Sequence, residues 1–271
     1  TWRKNVVAIF SDGSAVLGLG DIGPLAALPV LEGKCAIFKR FSGIDAVPIV
    51  LDTKDVDAIV ETIAHVAPSF GAIQLEDISA PRCFAIERAL MERLDMPVMH
   101  DDQHGTAIVI LAGLLNALKV VEKDIGSIRV VMNGAGAAGI ATARLLDAAG
   151  VSHLVMCDRQ GAIYEGRDGL NDEKREAAVF TNREKRSGSL ADVAAGADVL
   201  IGVSAAGAFT IEIVRSMASR PIVFALANPV SEILPDVAAE AGVAVLATGR
   251  SDFPNQVNNA LCYPGLFRGM L

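Results

Sequence analysis

The 271-residue sequence has no C-x-x-C pair, no block of basic residues, no internal repeat and no low-complexity tract, and it holds only two tyrosines and one tryptophan. Each absence removes a class of function. The four cysteines, Cys35, Cys83, Cys157 and Cys262, lie far apart, which argues against a zinc finger or a disulfide scaffold and leaves reduced, buried packing thiols. A net charge of −8 without a cationic cluster argues against a nucleic-acid partner and against binding to a membrane surface. The most apolar stretch, Ile108 to Val121, is too short to span a bilayer and is broken by Gly113, Asn116 and Lys119, so a buried helix is expected there. Trp2-Arg3-Lys4 leads straight into a strand-like run rather than into a signal peptide, and a cytoplasmic protein is the expectation.

What is present is apolar patterning. The chain is 52% hydrophobic and 21% charged, with a mean hydropathy of +0.42, the composition of buried strands alternating with amphipathic helices. At this length two domains are expected. In the first part, Val6–Ser11 and Ala15–Leu19 read as strands flanking an Asp12-Gly13 turn, followed by a short helix up to Glu32-Gly33-Lys34. Strands at Cys35–Phe41 and Val47–Leu51 are expected next, then a helix over Asp55–His65 capped by Thr53. Ala72–Leu75 reads as a strand ending in Glu76-Asp77, Arg82–Leu94 as a helix, and Pro97–Met99 as a strand ending in His100-Asp101-Asp102. If those two strands are parallel in one sheet, both acidic pairs leave it at the same carboxyl edge.

From Arg129 the alternation becomes regular. Strands are expected at Arg129–Met132, His153–Cys157, Val199–Ile201, Ile222–Leu226 and Val243–Leu246, with helices between most of them and the polar run Asp168–Ser189 as a surface excursion. The fold class is therefore α/β, a Rossmann-type doubly wound parallel sheet with a second, N-terminal α/β domain. The division falls at the helix beginning near Gly105, giving domains 1–104 and 105–271.

Two segments match G-x-G-x-x-G, Gly18 to Gly23 and Gly134 to Gly139. Only the second follows a strand and opens a helix of small residues, and only its next strand ends in an acid, Asp158, about 20 residues on, where a ribose hydroxyl can be bound. Gly134, Gly136, Ala137 and Gly139 are thus the candidate pyrophosphate contacts, at a helix N-terminus with free N–H groups. The first match would place Asp21 in the turn and reads as a tight structural loop. Asp158 favours NAD, whereas Arg159 could hold the 2′-phosphate of NADP; both cofactors remain open.

Glu76, Asp77 and Asp102 offer hard oxygen ligands of the kind that suit Mg²⁺ or Mn²⁺, although acids at strand ends also serve as helix caps or solvated loop charges. Taken alone, Lys34 reads as a surface cation, His100 and His104 as hydrogen-bonded loop residues, and Asn258-Asn259 as a turn cap.

Taken together, Ser11-Asp12-Gly13-Ser14-Ala15-Val16-Leu17-Gly18-Leu19-Gly20-Asp21, Glu32-Gly33-Lys34, Leu75-Glu76-Asp77-Ile78, His100-Asp101-Asp102-Gln103-His104-Gly105-Thr106, Ala227-Asn228-Pro229 and Phe253-Pro254-Asn255-Gln256-Val257-Asn258-Asn259 resemble the malic enzyme family, particularly its bacterial short-subunit type. The resemblance covers nearly the whole chain. It implies an NAD- or NADP-dependent oxidative decarboxylation of malate to pyruvate and CO₂. In that reading Glu76, Asp77 and Asp102 bind Mg²⁺ or Mn²⁺ in the N-terminal domain, Lys34 is the general base with Asp101 beside it, and Asn228 and Asn259 contact substrate or cofactor. Ser204, Asn228 and Asn258 are expected among the cofactor contacts, Lys34, Asn228 and Asn259 among the malate contacts, and a homo-oligomer, a dimer or larger, is expected. The pattern departs from the family in three ways. The acid tyrosine of the family lies upstream of its first motif, whereas Tyr164 and Tyr263 match no such position; the chain stops soon after Pro264-Gly265, so a fragment is expected; and Ala15 stands where larger relatives carry a malate-binding arginine. Two other readings stay open: an amino-acid dehydrogenase-like oxidoreductase and a non-catalytic dinucleotide-binding module.

Overall fold

Strand β1 (Val6–Ser11) is buried along its whole length, a run without alternation, as a parallel strand covered on both faces requires. In the computed structural model, which describes all residues from Thr1 to Leu271, β1 is followed by α1 (Pro24–Ser42), β2 (Asp45–Val50), α2 (Val56–Val66), β3 (Ala72–Leu75), α3 (Arg82–Arg93), β4 (Val98–His100) and α4 (Asp101–Val121). The four strands form one all-parallel sheet in the order β2-β1-β3-β4. The crossover from β1 runs one way along the sheet and those from β2 and β3 run the other, so right-handed connections place α1 on one face and α2 and α3 on the opposite face. Adjacent strands whose crossovers diverge, here β1 and β3, leave a crevice at their carboxyl ends where ligands bind.

The second series comprises β5 (Arg129–Asn133), α5 (Ala137–Ala148), β6 (His153–Asp158), β7 (Gly161–Ala162), α6 (Asp172–Phe180), α7 (Leu190–Ala194), β8 (Val199–Gly202), α8 (Ile211–Arg215), β9 (Ile222–Ala225), α9 (Pro235–Glu240) and β10 (Val245–Thr248), and α10 (Tyr263–Met270) ends the chain. Its sheet has the order β10-β9-β8-β5-β6-β7, parallel except for the short edge strand β7. Here the chain's direction reverses between β5 and β8. Val131, Leu200 and Val223 on the strands meet Val193, Phe209, Val214 and Ala238 from α7, α8, α9 and the loops between them in one buried cluster.

Two compact units result, Thr1–Gly105 with Asn259–Leu271, and Thr106–Asn258. The expected division at 104/105 therefore misses one feature, because residues 259–271 pack with the first unit. Tyr263 and Phe267 of α10 are fully buried with Val7, Ile9, Leu31 and Phe38, and the Phe38 ring lies 4.8 Å from Tyr263 and 5.4 Å from Phe267 between centroids.

Several local expectations change. Cys35–Phe41 is not a strand but the second half of α1: Pro24 opens the helix, Gly43 in the left-handed conformation (φ 69°) closes it, and the buried Ala27, Leu31 and Phe38 recur at helical spacing. Ala15–Leu19 is a tight turn closed by a bridge between Val16 and Gly20. Asp55 rather than Thr53 caps α2, accepting the Ala58 N–H at 2.8 Å. The run 168–189 is more than an excursion, since it contains α6 and buries Ala177, Ala178, Thr181 and Asn182. Of the four free thiols only Cys83 and Cys157 are buried, Cys35 and Cys262 being half-buried. Helix α4 is long and apolar enough by composition to cross a membrane, yet its Ala107, Ile110, Leu114, Ala117, Leu118 and Val121 form a buried stripe and Phe224 packs against Gly113.

The Tyr263 hydroxyl is buried without a hydrogen-bond partner. An unsatisfied buried polar group costs about 1–3 kcal/mol, so Tyr263→Phe is expected to raise the thermal unfolding midpoint while keeping the ring packing. A lowered midpoint in calorimetry would show that the hydroxyl has a partner that stabilises the fold.

Candidate metal centre and dinucleotide turn

The register of the first sheet brings the acids together. β3 and β4 pair in parallel with Leu75 opposite His100, so Glu76-Asp77 and Asp101-Asp102 emerge side by side at the carboxyl edge. One ligand oxygen from each of Glu76, Asp77 and Asp102 falls within 4.8 Å of the others. Asp77 adopts a positive φ of 53°, and its N–H donates to Asp102 Oδ2 at 2.8 Å, which turns the chain so that both carboxylates share one space. Its own Oδ2 is buried without a partner.

Lys34 is the inward-facing residue between Leu31 and Phe38 on α1, not a surface cation. Its Nζ lies 2.6 Å from Asp101 Oδ2 and 2.9 Å from Glu76 Oε2, and 4.8 Å above the Tyr263 ring. Asp101 is fully buried and its Oδ2 also accepts from Asn259 Nδ2 at 2.8 Å. A Cβ at Gly105 would stand 2.0 Å from Asp101 Oδ1, so only glycine lets this carboxylate lie back along α4. Gln74 Nε2 donates to Glu76 Oε2 at 2.8 Å. His100 is fully buried, with Gln103 Nε2 3.1 Å from its Nδ1 and its Nε2 3.2 Å from Asp102 Oδ2, an ion-pair contact without hydrogen-bond alignment. His104 faces Glu87 at 3.0 Å instead of the acids.

The electrostatics follow from crowding. Burial works to lower the Lys34 pKa, but the carboxylates of Asp101, Glu76 and Asp102 outweigh it and hold the ammonium well above its ordinary range. Burial, reinforced by Asp102, raises Asp77 to about 7, and burial likewise pushes Glu76 well up against the opposing pull of Lys34. Asp102 goes the other way, to about 2, because His100, Lys34 and the Asp77 N–H outweigh its burial. Three hard acids with one orphaned oxygen and too little positive charge nearby are the donor set a divalent cation fits.

In the second unit, each glycine of Gly134 to Gly139 has its own reason. Gly134 has φ 126°, and a Cβ there would lie 2.5 Å from the Val203 carbonyl oxygen. A Cβ at Gly139 would meet the Gly134 carbonyl oxygen at 2.0 Å, while one at Gly136 would meet nothing within 4 Å. Thus Gly134 and Gly139 permit the close packing of turn, strand and helix, and Gly136 keeps open the space through which a pyrophosphate would reach the start of α5 at Ala137. The other glycine match is a structural loop, in which a Cβ on the nearby Gly13 would strike the Gly23 carbonyl oxygen at 2.2 Å.

Asp158 ends β6 as expected, but its carboxylate is occupied. Arg167 donates to both oxygens, at 2.9 and 2.5 Å, and Lys174 to Oδ2 at 2.8 Å, which holds its pKa well down against the effect of burial. Arg159 beside it is exposed. Ser204 follows β8, Asn228 follows β9 with its Nδ2 against Gly249, and Asn258 Nδ2 reaches the Gly249 carbonyl at 3.5 Å. The sequence reading missed Gln74, Arg167 and Lys174. None sits in a motif; Lys174 lies in the polar run set aside as surface, and Arg167 immediately precedes that run.

Residues 1–91 match the family model of the malic enzyme N-terminal domain and residues 103–271 that of the malic enzyme NAD-binding domain. This chain belongs to the malic enzyme family. All of it aligns with the bifunctional malic/malolactic enzyme of Bacillus subtilis, at 61% identity, and with the NAD-dependent malic enzyme of Geobacillus stearothermophilus, at 59%. It spans 66% and 56% of the lengths of those two relatives. The crystal structure of an NAD-dependent malic enzyme from Thermotoga maritima superposes with a TM-score of 0.97 at 50% identity, over 100% of this chain and 72% of that one.

Because Asp77 holds a proton below about pH 7, a divalent cation must displace it there. With Asp77 and Glu76 both held up by burial, Mn²⁺ affinity is expected to fall at least tenfold per pH unit below neutrality; a flat calorimetric profile between pH 5 and 7 would contradict the assignment. Asp102→Ala is expected to weaken Mn²⁺ binding at least tenfold and to leave dinucleotide binding largely intact. Equal loss of both in a folded variant would overturn the separation of the two sites.

Proposed function

We propose that this chain carries the base, metal and dinucleotide sites of an enzyme that oxidatively decarboxylates malate to pyruvate and CO₂ while reducing NAD or NADP. The observation that carries the reading is Lys34 braced between Glu76 and Asp101, next to an acid triad whose ligand oxygens lie within 4.8 Å of one another. Glu76, Asp77 and Asp102 would hold Mg²⁺ or Mn²⁺, which when bound supplies Lewis-acid polarisation of the substrate oxygens.

Lys34 is the base that takes the C2 hydroxyl proton of malate, and it must be neutral to do so. Glu76 is the pivot of that change. Its carboxylate helps keep Lys34 protonated, and a cation held by Glu76 would offset one of the charges that stabilise the ammonium. Asp101 remains, oriented by Asn259, and aims the amine. Asn259 and Asn228 are the further malate contacts in this reading.

Gly134, Gly136, Ala137 and Gly139 would bind the pyrophosphate, with Ser204, Asn228 and Asn258 as further cofactor contacts; the dinucleotide supplies the hydride acceptor. Asp158, neutralised by Arg167 and Lys174, does not repel a 2′-phosphate as a bare carboxylate would, and Arg159 stands free to attract it. NADP is therefore accepted alongside NAD.

A homo-oligomer, a dimer or larger, accords with the exposed Leu17, Leu19, Leu25 and Phe41 of the first unit, which sedimentation would test. Four unpaired thiols suit a reducing, cytoplasmic setting.

Given malate, Mn²⁺ and either dinucleotide, the intact protein is expected to form reduced dinucleotide and pyruvate in equal amounts, and chelation is expected to stop the reaction. Turnover that survives complete chelation would favour an amino-acid dehydrogenase-like chemistry, and cofactor binding without turnover a binding module. Lys34→Ala is expected to lower kcat by about 100-fold or more, the usual contribution of a general base. Arg159→Ala is expected to raise the KM for NADP relative to that for NAD; an unchanged ratio would remove Arg159 from the site.

A further inference from the structure

The second unit buries one carboxylate that the reaction outlined above does not use. Glu232 lies between β9 and α9, is fully buried and has no cationic partner. Its Oε2 accepts the Ala227 N–H at 2.9 Å, just past the end of β9. Its Oε1 accepts the Ser204 N–H at 3.0 Å, just past the end of β8, with Ser204 Oγ at 3.4 Å. That hydroxyl in turn accepts from Asn133 Nδ2 at 2.8 Å, the last residue of β5 before the glycine turn. The fit is close: a Cβ at Gly202 would lie 2.4 Å from Glu232 Cδ. The backbone carbonyls of Glu232 and Ser231 also receive the N–H groups of Phe209 and Gly207, holding the far end of the loop that follows β8.

A buried charge compensated only by N–H and O–H dipoles is costly to keep, so its location matters. The three strand ends it joins, directly or through Ser204, are those of β5, β8 and β9, and the chain's reversal between β5 and β8 is where a doubly wound sheet binds its ligand. In that reading the glycine turn serves the mononucleotide half on the β5-β6 side. Segments after β8 and β9 face the other half, which carries the nicotinamide.

Resting on the reading of this unit as a dinucleotide site, we propose that Glu232 is its positioning residue, fixing the ends of β8 and β9 relative to β5 so that the nicotinamide half of the cofactor is accepted. It contacts no cofactor atom itself. Glu232→Gln keeps the volume but turns one acceptor into a donor, which must then face the N–H of either Ala227 or Ser204, so one segment is released.

The test uses the full chain with two probes, NADH and ADP-ribose, the latter lacking the nicotinamide. Glu232→Gln is expected to raise the Kd for NADH about tenfold and that for ADP-ribose less than threefold, with circular dichroism unchanged. Asn133→Ala, which cuts only the side-chain link to Ser204, is expected to show the same asymmetry more weakly, and it carries the test if Glu232→Gln fails to fold. Equal weakening of both probes would mark Glu232 as merely structural, and unchanged affinities would refute the proposal outright. If the unaltered chain binds neither probe, the dinucleotide reading falls, and this inference with it.

Discussion

The ammonium of Lys34 is the counter-charge on which the first unit's site depends. Glu76, Asp77, Asp101 and Asp102 converge at one sheet edge, and without a cation their mutual repulsion would oppose the packing that brings them there. Lys34 reaches them because α1 continues through Gly33, placing it on the stripe of Leu31 and Phe38. The ring of Tyr263 below and the carboxylates of Glu76 and Asp101 beside it fix the amine from several directions. The fold thus holds the lysine as a structural cation among four acids.

Both units apply one rule of parallel sheets to different chemistry. In the first, the reversal between β1 and β3 opens a space lined by hard oxygens; in the second, the reversal between β5 and β8 opens one lined by backbone N–H groups and glycines. The polar contents differ because the local sequences differ: acidic pairs follow β3 and β4, whereas Gly134 to Gly139 follow β5.

Much of this was legible in the sequence where a local pattern carried it. Ala72–Leu75 and the start of α5 at Ala137 stand where apolar runs and glycine spacing placed them, and the acidic pairs do share one edge. The second half of α1 was not legible, because Glu32-Gly33-Lys34 has the composition of a turn and only packing against β1 and α10 overrides it. The environment of Asp158 was hidden for another reason. Its partners, Arg167 and Lys174, lie in a polar stretch whose path across the sheet edge no periodicity reports. Glu232 was equally silent, since a glutamate after Asn228-Pro229 looks like any loop charge until its burial is seen.

The docking of α10 gives the chain an order of events. Tyr263 and Phe267 share a core with Val7 and Ile9, and the whole of Thr106–Asn258 lies between them in sequence. During synthesis the ribosome therefore releases every strand of the second sheet before Tyr263 and Phe267 of the first core exist. The insert's contacts are contiguous in sequence, whereas Phe38 and its neighbours stay without the rings that cover them until the chain has run through it.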